Sequence, residues 1–135
     1  MKTRTIISIM VAAVMTSCNL ESDNCPKVIQ VPFERVEIPD SVEVDQAFTI
    51  DVNIYDYGCY EECTVIGSPS NNIVYLTAYA NYDNCGCPTT QAKRDLSYIA
   101  AFDSSARNSA RYYIYEVINN NQDTIYTKVD TVWVY

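Results

Sequence analysis

The strongest constraint on this chain is a run of strict alternation. Phe48, Ile50, Val52 and Ile54 are apolar, while Thr49, Asp51 and Asn53 between them are polar and Tyr55 closes the run. Successive side chains of an extended segment point to opposite faces, so a period of two buries one face and leaves the other wet. That pattern belongs to an antiparallel sheet with one solvated face. Ile73 to Tyr82 repeats it, with Val74, Leu76, Ala78 and Ala80 in one row and Ile73, Tyr75, Thr77 and Tyr79 in the other. Tyr112 to Ile118 predicts a further strand, and Ile125 to Tyr135 a last one. In that last run Val129 and Val132 fall out of phase, which predicts a bulge or a turn near Asp130.

Turn signals separate these runs. Pro39-Asp40-Ser41 divides Val36/Ile38 from Val42/Val44, and Asn119-Asn120-Asn121-Gln122-Asp123 precedes the last strand. Thr64-Val65-Ile66 predicts a short strand ahead of a turn at Ser68–Asn72. Leu96, Tyr98, Ala100 and Phe102 alternate as a strand would. Ala92, Leu96, Ile99 and Ala100 also fit a helix, so 92–102 stays open with strand preferred. About seven short strands at regular spacing predict an all-β antiparallel sandwich. The opening Ile38-Pro39-Asp40-Ser41-Val42-Glu43-Val44-Asp45-Gln46-Ala47-Phe48-Thr49-Ile50 resembles the first strands of bacterial immunoglobulin-like domains. The close Asp130-Thr131-Val132-Trp133-Val134 resembles their last. The resemblance implies an immunoglobulin-like β-sandwich over 27–135, and a fold carries no activity by itself.

Composition removes several chemistries. The 135 residues include no histidine, so Ser-His-Asp and Cys-His catalysis and imidazole-ligated zinc are excluded. The three glycines, Gly58, Gly67 and Gly86, are too far apart for a phosphate-cradling loop.

The first residues read as an address. Lys2 and Arg4 precede an apolar run from Ile6 to Met15, interrupted only by Ser8. Ten helical residues span about 15 Å, half a bilayer core, which suits the apolar region of a secretory signal and not a membrane span. The run ends Met15-Thr16-Ser17-Cys18, which resembles the lipobox of bacterial lipoproteins. The resemblance implies cleavage after residue 17, a covalent lipid on Cys18, and a tether over 18–26. Glu21 and Asp23 resemble the acidic surface-export signal of Bacteroidota-type lipoproteins, which implies an outer-membrane and possible surface location. Losing Lys2 and Arg4 leaves 7 basic against 17 acidic residues, a balance of −10. Nucleic-acid binding needs clustered Lys and Arg, so no nucleic-acid partner is expected. The membrane is then met only through the lipid.

Five further cysteines remain: Cys25, Cys59, Cys63, Cys85 and Cys87. Outside the inner membrane disulfides are the expected state. If 68–72 reverses the chain with Gly67 facing Ile73, Cys63 lies opposite Thr77 and Cys59 opposite Asn81, close to Cys85 and Cys87. Cluster-to-cluster bridging through Cys59 follows, with Cys25 as the odd thiol. A four-thiolate zinc site is the rival, disfavoured by the Cys-x-Cys spacing, so no metal is expected. Asp56, Glu61, Glu62, Asp83 and Asn84 offer oxygen ligands for calcium, but without any EF-hand spacing.

All twelve tyrosines fall after the signal. Tyrosine supplies rigid amphipathic contact area. Tyr75 and Tyr79 share one strand face and Tyr113 and Tyr115 another, so these four form the candidate binding face. Its expected partner is a protein or a glycan, and the final strand offers an edge for β-augmentation. The expected function is therefore a lipid-anchored, non-catalytic binding or structural module without cofactor. The alternatives are a periplasm-facing accessory of an envelope complex and a small hydrolase using two carboxylates.

Overall fold

The computed structural model describes residues 27–56, 60–82 and 92–135. These fold as an all-β unit of nine strands: β1 Lys27–Val31, β2 Phe33–Glu37, β3 Ser41–Val42, β4 Ala47–Asp56, β5 Tyr60–Ser70, β6 Ile73–Tyr82, β7 Ala92–Ala101, β8 Ser109–Ile118 and β9 Ile125–Val134. One 3-10 turn, Ser104–Ala106, joins β7 to β8. The segment 92–101 is strand, paired along its whole length with β4 from Ala47↔Ala101 to Asp56↔Ala92.

The all-β expectation holds, and the strands number nine where about seven were expected. The strands form one continuous, curled, mixed sheet in the shape of a half-barrel. Hairpin partners are antiparallel, as in β5–β6 and β8–β9. Three contacts are parallel: Phe33↔Val117, Ile73–Tyr75 with Tyr112–Ile114, and Ser41–Val42 with Trp133–Val134. Parallel neighbours need a crossover between them, and alternation within one strand carries no signal of that.

The sheet curls because the chain changes partners at Pro32. β1 pairs with β6. Proline has no amide to donate, so the ladder stops there, and β2 then pairs with β4. The β2–β4 register slips between Phe33 and Arg35, a bulge that strengthens the local twist. Phe33 sits at the junction. It lies opposite Ile54 of β4 on one side and Val117 of β8 on the other, and its ring meets Tyr115 edge-on at 6.0 Å.

The inward rows match most of the alternation read from the sequence. Ile50, Val52 and Ile54 of β4, and Val74, Leu76, Ala78 and Ala80 of β6, are buried in one core. Tyr113, Tyr115 and Val117 of β8 and Val132 and Val134 of β9 complete it. Two details differ. β9 has no bulge or turn at Asp130, because its pairing with β8 is uninterrupted from Ile125 to Val134. Val129 is out of phase with Val132 simply because it points outward. The β5–β6 turn is also tighter than expected. Only Asn71 and Asn72 lie between the strands, with Asn71 in the left-handed region at φ 56°. Cys63 therefore lies opposite Ala80, and not Thr77. Pro69 is tolerated inside β5 because among the described residues β5 pairs with β6 alone and is an edge.

The two edges of the curled sheet, β5 and β7, come together over the core. Gly67 faces inward on β5, and the Tyr98 ring of β7 occupies the space beside it. A Cβ at position 67 would overlap Tyr98 Oη and Cζ and lie 3.0 Å from Cε1. Gly67→Ala is therefore expected to destabilise the fold by about 1–3 kcal/mol through overpacking. Denaturant unfolding checks this, and Tyr98→Leu in the same chain should restore part of the loss.

Candidate functional site

Strand parity decides what each face presents. On β8, Glu116 shares its face with Tyr112 and Ile114, and that face is the outer one. The opposite row holds Tyr113 and Tyr115, which are 1% and 2% exposed. These two tyrosines are core residues, so the candidate binding face is corrected at both positions. Burial pushes both phenols well above the ordinary tyrosine range. Tyr115 also donates its hydroxyl to the Asp130 carboxylate. Lys128 Nζ stands 6.0 Å from the centre of the same ring. The inward row of β9 thus turns polar at Asp130 and Lys128 because the Tyr115 hydroxyl needs a partner at the end of the core.

Tyr75 and Tyr79 do lie on the outer face, with Tyr75 47% exposed and Tyr79 partly covered. Their neighbours are residues that the sequence reading passed over. Pairing sets Ser68, Tyr75, Ile114 and Val129 in one row across β5, β6, β8 and β9. Ser70, Ile73, Tyr112 and Thr131 form the next row. Trp133, 48% exposed, extends the surface beyond them. The result is an aromatic and aliphatic face studded with serine and threonine hydroxyls. Glu116 was the available signal: its charge marks the parity of Tyr112 and Ile114 as the wet one.

Two hollows open on this face. One of about 690 Å³ is lined by Val28, Ile66 and Tyr79, with Glu62, Thr64 and Asn81 at its rim. Asn81 Nδ2 donates to Glu62 Oε2 at 3.3 Å. The other, about 260 Å³, lies along β6 between Gln30, Tyr75, Ile114 and Thr127.

A second cluster faces inward where the edges meet. Asp56 is the last inward residue of β4 and is 6% exposed, the one buried charged residue among those described. Arg94 of β7 lies opposite Ile54 and reaches diagonally to it. Arg94 Nη2 is 2.5 Å from Asp56 Oδ2 and donates to the Tyr60 carbonyl at 2.8 Å. Its Nη1 donates to Cys63 Sγ at 3.0 Å. The Tyr60 amide donates to Asp56 Oδ1 at 3.4 Å. One guanidinium thus ties β4, β5 and β7 together with the fork geometry that only arginine supplies. Burial raises the Cys63 thiol above its ordinary range, and Arg94 beside it opposes that shift. Among the described residues Cys63 has no disulfide partner. Its candidate partners Cys25, Cys59, Cys85 and Cys87 lie outside the described residues, as do Cys18, Asp83 and Asn84.

This arrangement is a clamp. The Asp56 carboxylate is held by a cation and an amide, not turned to a cleft as a general acid or base would be. Among the described residues no group of three or more Cys, Asp and Glu is placed to hold a metal ion. Comparison with family models, with curated proteins and with solved structures gives no match.

The clamp predicts an asymmetry. Arg94→Met strands a buried carboxylate without its counter-ion, whereas Asp56→Asn leaves a guanidinium that still reaches water. Arg94→Met should cost up to about 3 kcal/mol, below the figure for a wholly buried pair because Arg94 is partly exposed. Asp56→Asn should cost less. Chemical denaturation of the two variants side by side reads the difference, and equal losses would contradict the clamp.

Proposed function

We propose that this chain is a lipid-anchored extracytoplasmic lipoprotein that acts as a non-catalytic binding or structural module. The observation that carries the binding half is the outer face, where Tyr75, Tyr112, Val129 and Trp133 stand exposed in one surface. Exposed apolar patches of this kind mark interaction sites more often than they mark nothing. Tyrosine and tryptophan give contact area at little entropic cost. The face sets rings among the hydroxyls of Ser68, Ser70, Thr77, Thr127 and Thr131 with Glu116 among them. That chemistry suits an uncharged polar ligand, so a glycan is the first class to test and a protein surface the second.

The anchoring half rests on the Met15–Cys18 motif and the apolar run before it. No helix among the described residues is long and apolar enough to cross a membrane. Two or more acyl chains on Cys18 would hold the protein stably. The immunoglobulin-like assignment belongs to the same proposal. The blocks β7-β4-β2 and β5-β6-β8-β9 share one core, as the sheets of such a sandwich do, with β1 and β2 bridging them. Bridging between the Cys59/Cys63 and Cys85/Cys87 clusters through Cys59, in the oxidising envelope, is part of it too.

Two experiments bear on this. Cys18→Ala should abolish fatty-acid labelling and release the protein from the membrane fraction; unchanged labelling would reject the anchor. A glycan array probed with the wild-type chain and with Tyr75→Ala/Trp133→Ala should show binding that the double variant loses at least about tenfold, a loss of 1.4 kcal/mol or more. Identical profiles would remove the outer face from the proposal.

A further inference from the structure

β9 has one covered edge and one largely open one. β8 pairs with it along all ten residues, from Ile118↔Ile125 to Ser109↔Val134. On the other edge β3 covers only Trp133 and Val134, and among the described residues nothing else pairs there. The direction of the open main-chain groups can be read from the covered end. The Trp133 amide donates to the Asp40 carbonyl at 2.9 Å and the Tyr135 amide to the Val42 carbonyl at 3.1 Å, both on the β3 side. The Val134 carbonyl accepts from the Asn108 amide at 2.8 Å on the β8 side. Main-chain groups alternate in direction along a strand. Thr127, Val129 and Thr131 therefore present both N–H and C=O to the open edge.

An open edge of this length is a template for another strand. Its side chains select which strand fits. In an antiparallel pair of β9 with itself, a residue of either parity can lie on the two-fold axis, so the side chains set against one another decide the register. A centre at Val129 sets Val129 against Val129, Thr127 against Thr131, and Lys128 against Asp130 twice. Centres at Thr127 and Thr131 oppose no opposite charges, and centres at Lys128 and Asp130 set each charge against its own copy. Lys128 and Asp130 would occupy non-hydrogen-bonded positions, where facing side chains come closest. Charge thus selects one register.

We propose that the open edge of β9 is a docking surface for a second copy of this chain, joined two-fold and antiparallel about Val129. The sheet then continues from β8 and β9 of one copy into β9 and β8 of the other through about six main-chain hydrogen bonds. Because the axis is perpendicular to the sheet, the outer faces of both copies lie side by side. Tyr112, Ile114, Val129 and Trp133 of each then form one doubled surface. The edge pairing stands on β9 alone, whether or not that face binds a partner. Five residues a side make a small interface, so the dimer is concentration-dependent.

The test is sedimentation equilibrium of the full chain in density-matched detergent, from about 1 µM to 1 mM, the range in which a weak interface titrates. The wild type should pass from one chain to two. Val129→Pro removes an amide that faces only the open edge and spares the β8 ladder, so this variant should stay monomeric. Lys128→Glu sets like charges opposite Asp130 at both positions and should weaken the dimer about tenfold or more. Arg107→Glu makes the same charge change at an exposed site off the open edge of β9 and should leave the dimer unchanged. A wild type that stays monomeric to the top of the range overturns the proposal. So does a Val129→Pro chain that dimerises like the wild type, or a Lys128→Glu effect no larger than that of Arg107→Glu.

Discussion

Phe33 is the point on which the two halves of this fold depend. It is 1% exposed, and it is in register with β4 on one side and β8 on the other. Pro32 just before it ends one ladder, and the bulge just after it starts the next with extra twist. A flat sheet would leave the inward rows of β4 and β8 facing solvent. The turn at Phe33 brings them face to face, so that Ile50, Val52 and Ile54 share a core with Tyr113, Tyr115 and Val132. At a few kcal/mol per fully buried large side chain, that shared core is what holds a nine-strand unit of this size together.

Once the sheet has curled, its edges must be managed. On one side β7 is laid against β5 by two side chains two turns of the pleat apart. Tyr98 fills the space that Gly67 leaves, and Arg94 binds Asp56, the Tyr60 carbonyl and the Cys63 sulfur. The ion pair is placed where the hydrophobic rows of β4 and β7 run out, so a charge can be sheltered without displacing an apolar residue. On the other side β9 is only partly covered by β3. The same curl that encloses the inner rows leaves Tyr75, Tyr112, Ile114, Val129 and Trp133 on a convex outer surface. Closure, open edge and outer face are consequences of one bend.

Much of this was legible in the residues. The alternation of Phe48 to Tyr55 and of Ile73 to Tyr82 fixed both strands and their buried rows, because each row was uniformly apolar against a polar or mixed one. The Asn-rich turn at 119–123 was legible for a similar reason. Asn119 accepts from the Asp123 amide at 3.0 Å, and Gln122 takes the left-handed backbone such turns need. Tyr112 to Tyr115 was harder, since three tyrosines and an isoleucine give both parities an amphipathic look and only Glu116 breaks the tie. In β9 the out-of-phase Val129 and Val132 read as a bulge or a turn because the inward row is charged at Lys128 and Asp130. Those charges sit at an end where the core has become a tyrosine hydroxyl. The partner switch at Pro32 and the parallel contacts are long-range facts that no local period encodes. Asp56 read as a candidate calcium ligand because its partner, Arg94, is distant in sequence.

The central claim is one of parity: β8 buries Tyr113 and Tyr115 and shows Tyr112. Tyrosine nitration of the folded chain, mapped by fragment-ion mass spectrometry, tests it at adjacent residues. Nitration attacks the accessible phenolate, which burial suppresses at Tyr113 and Tyr115. Tyr75 and Tyr112 should be modified early and Tyr113 and Tyr115 spared until the protein unfolds. Modification of Tyr113 or Tyr115 as fast as Tyr112 would contradict the account, because the outer face would then be made of the residues assigned to the core.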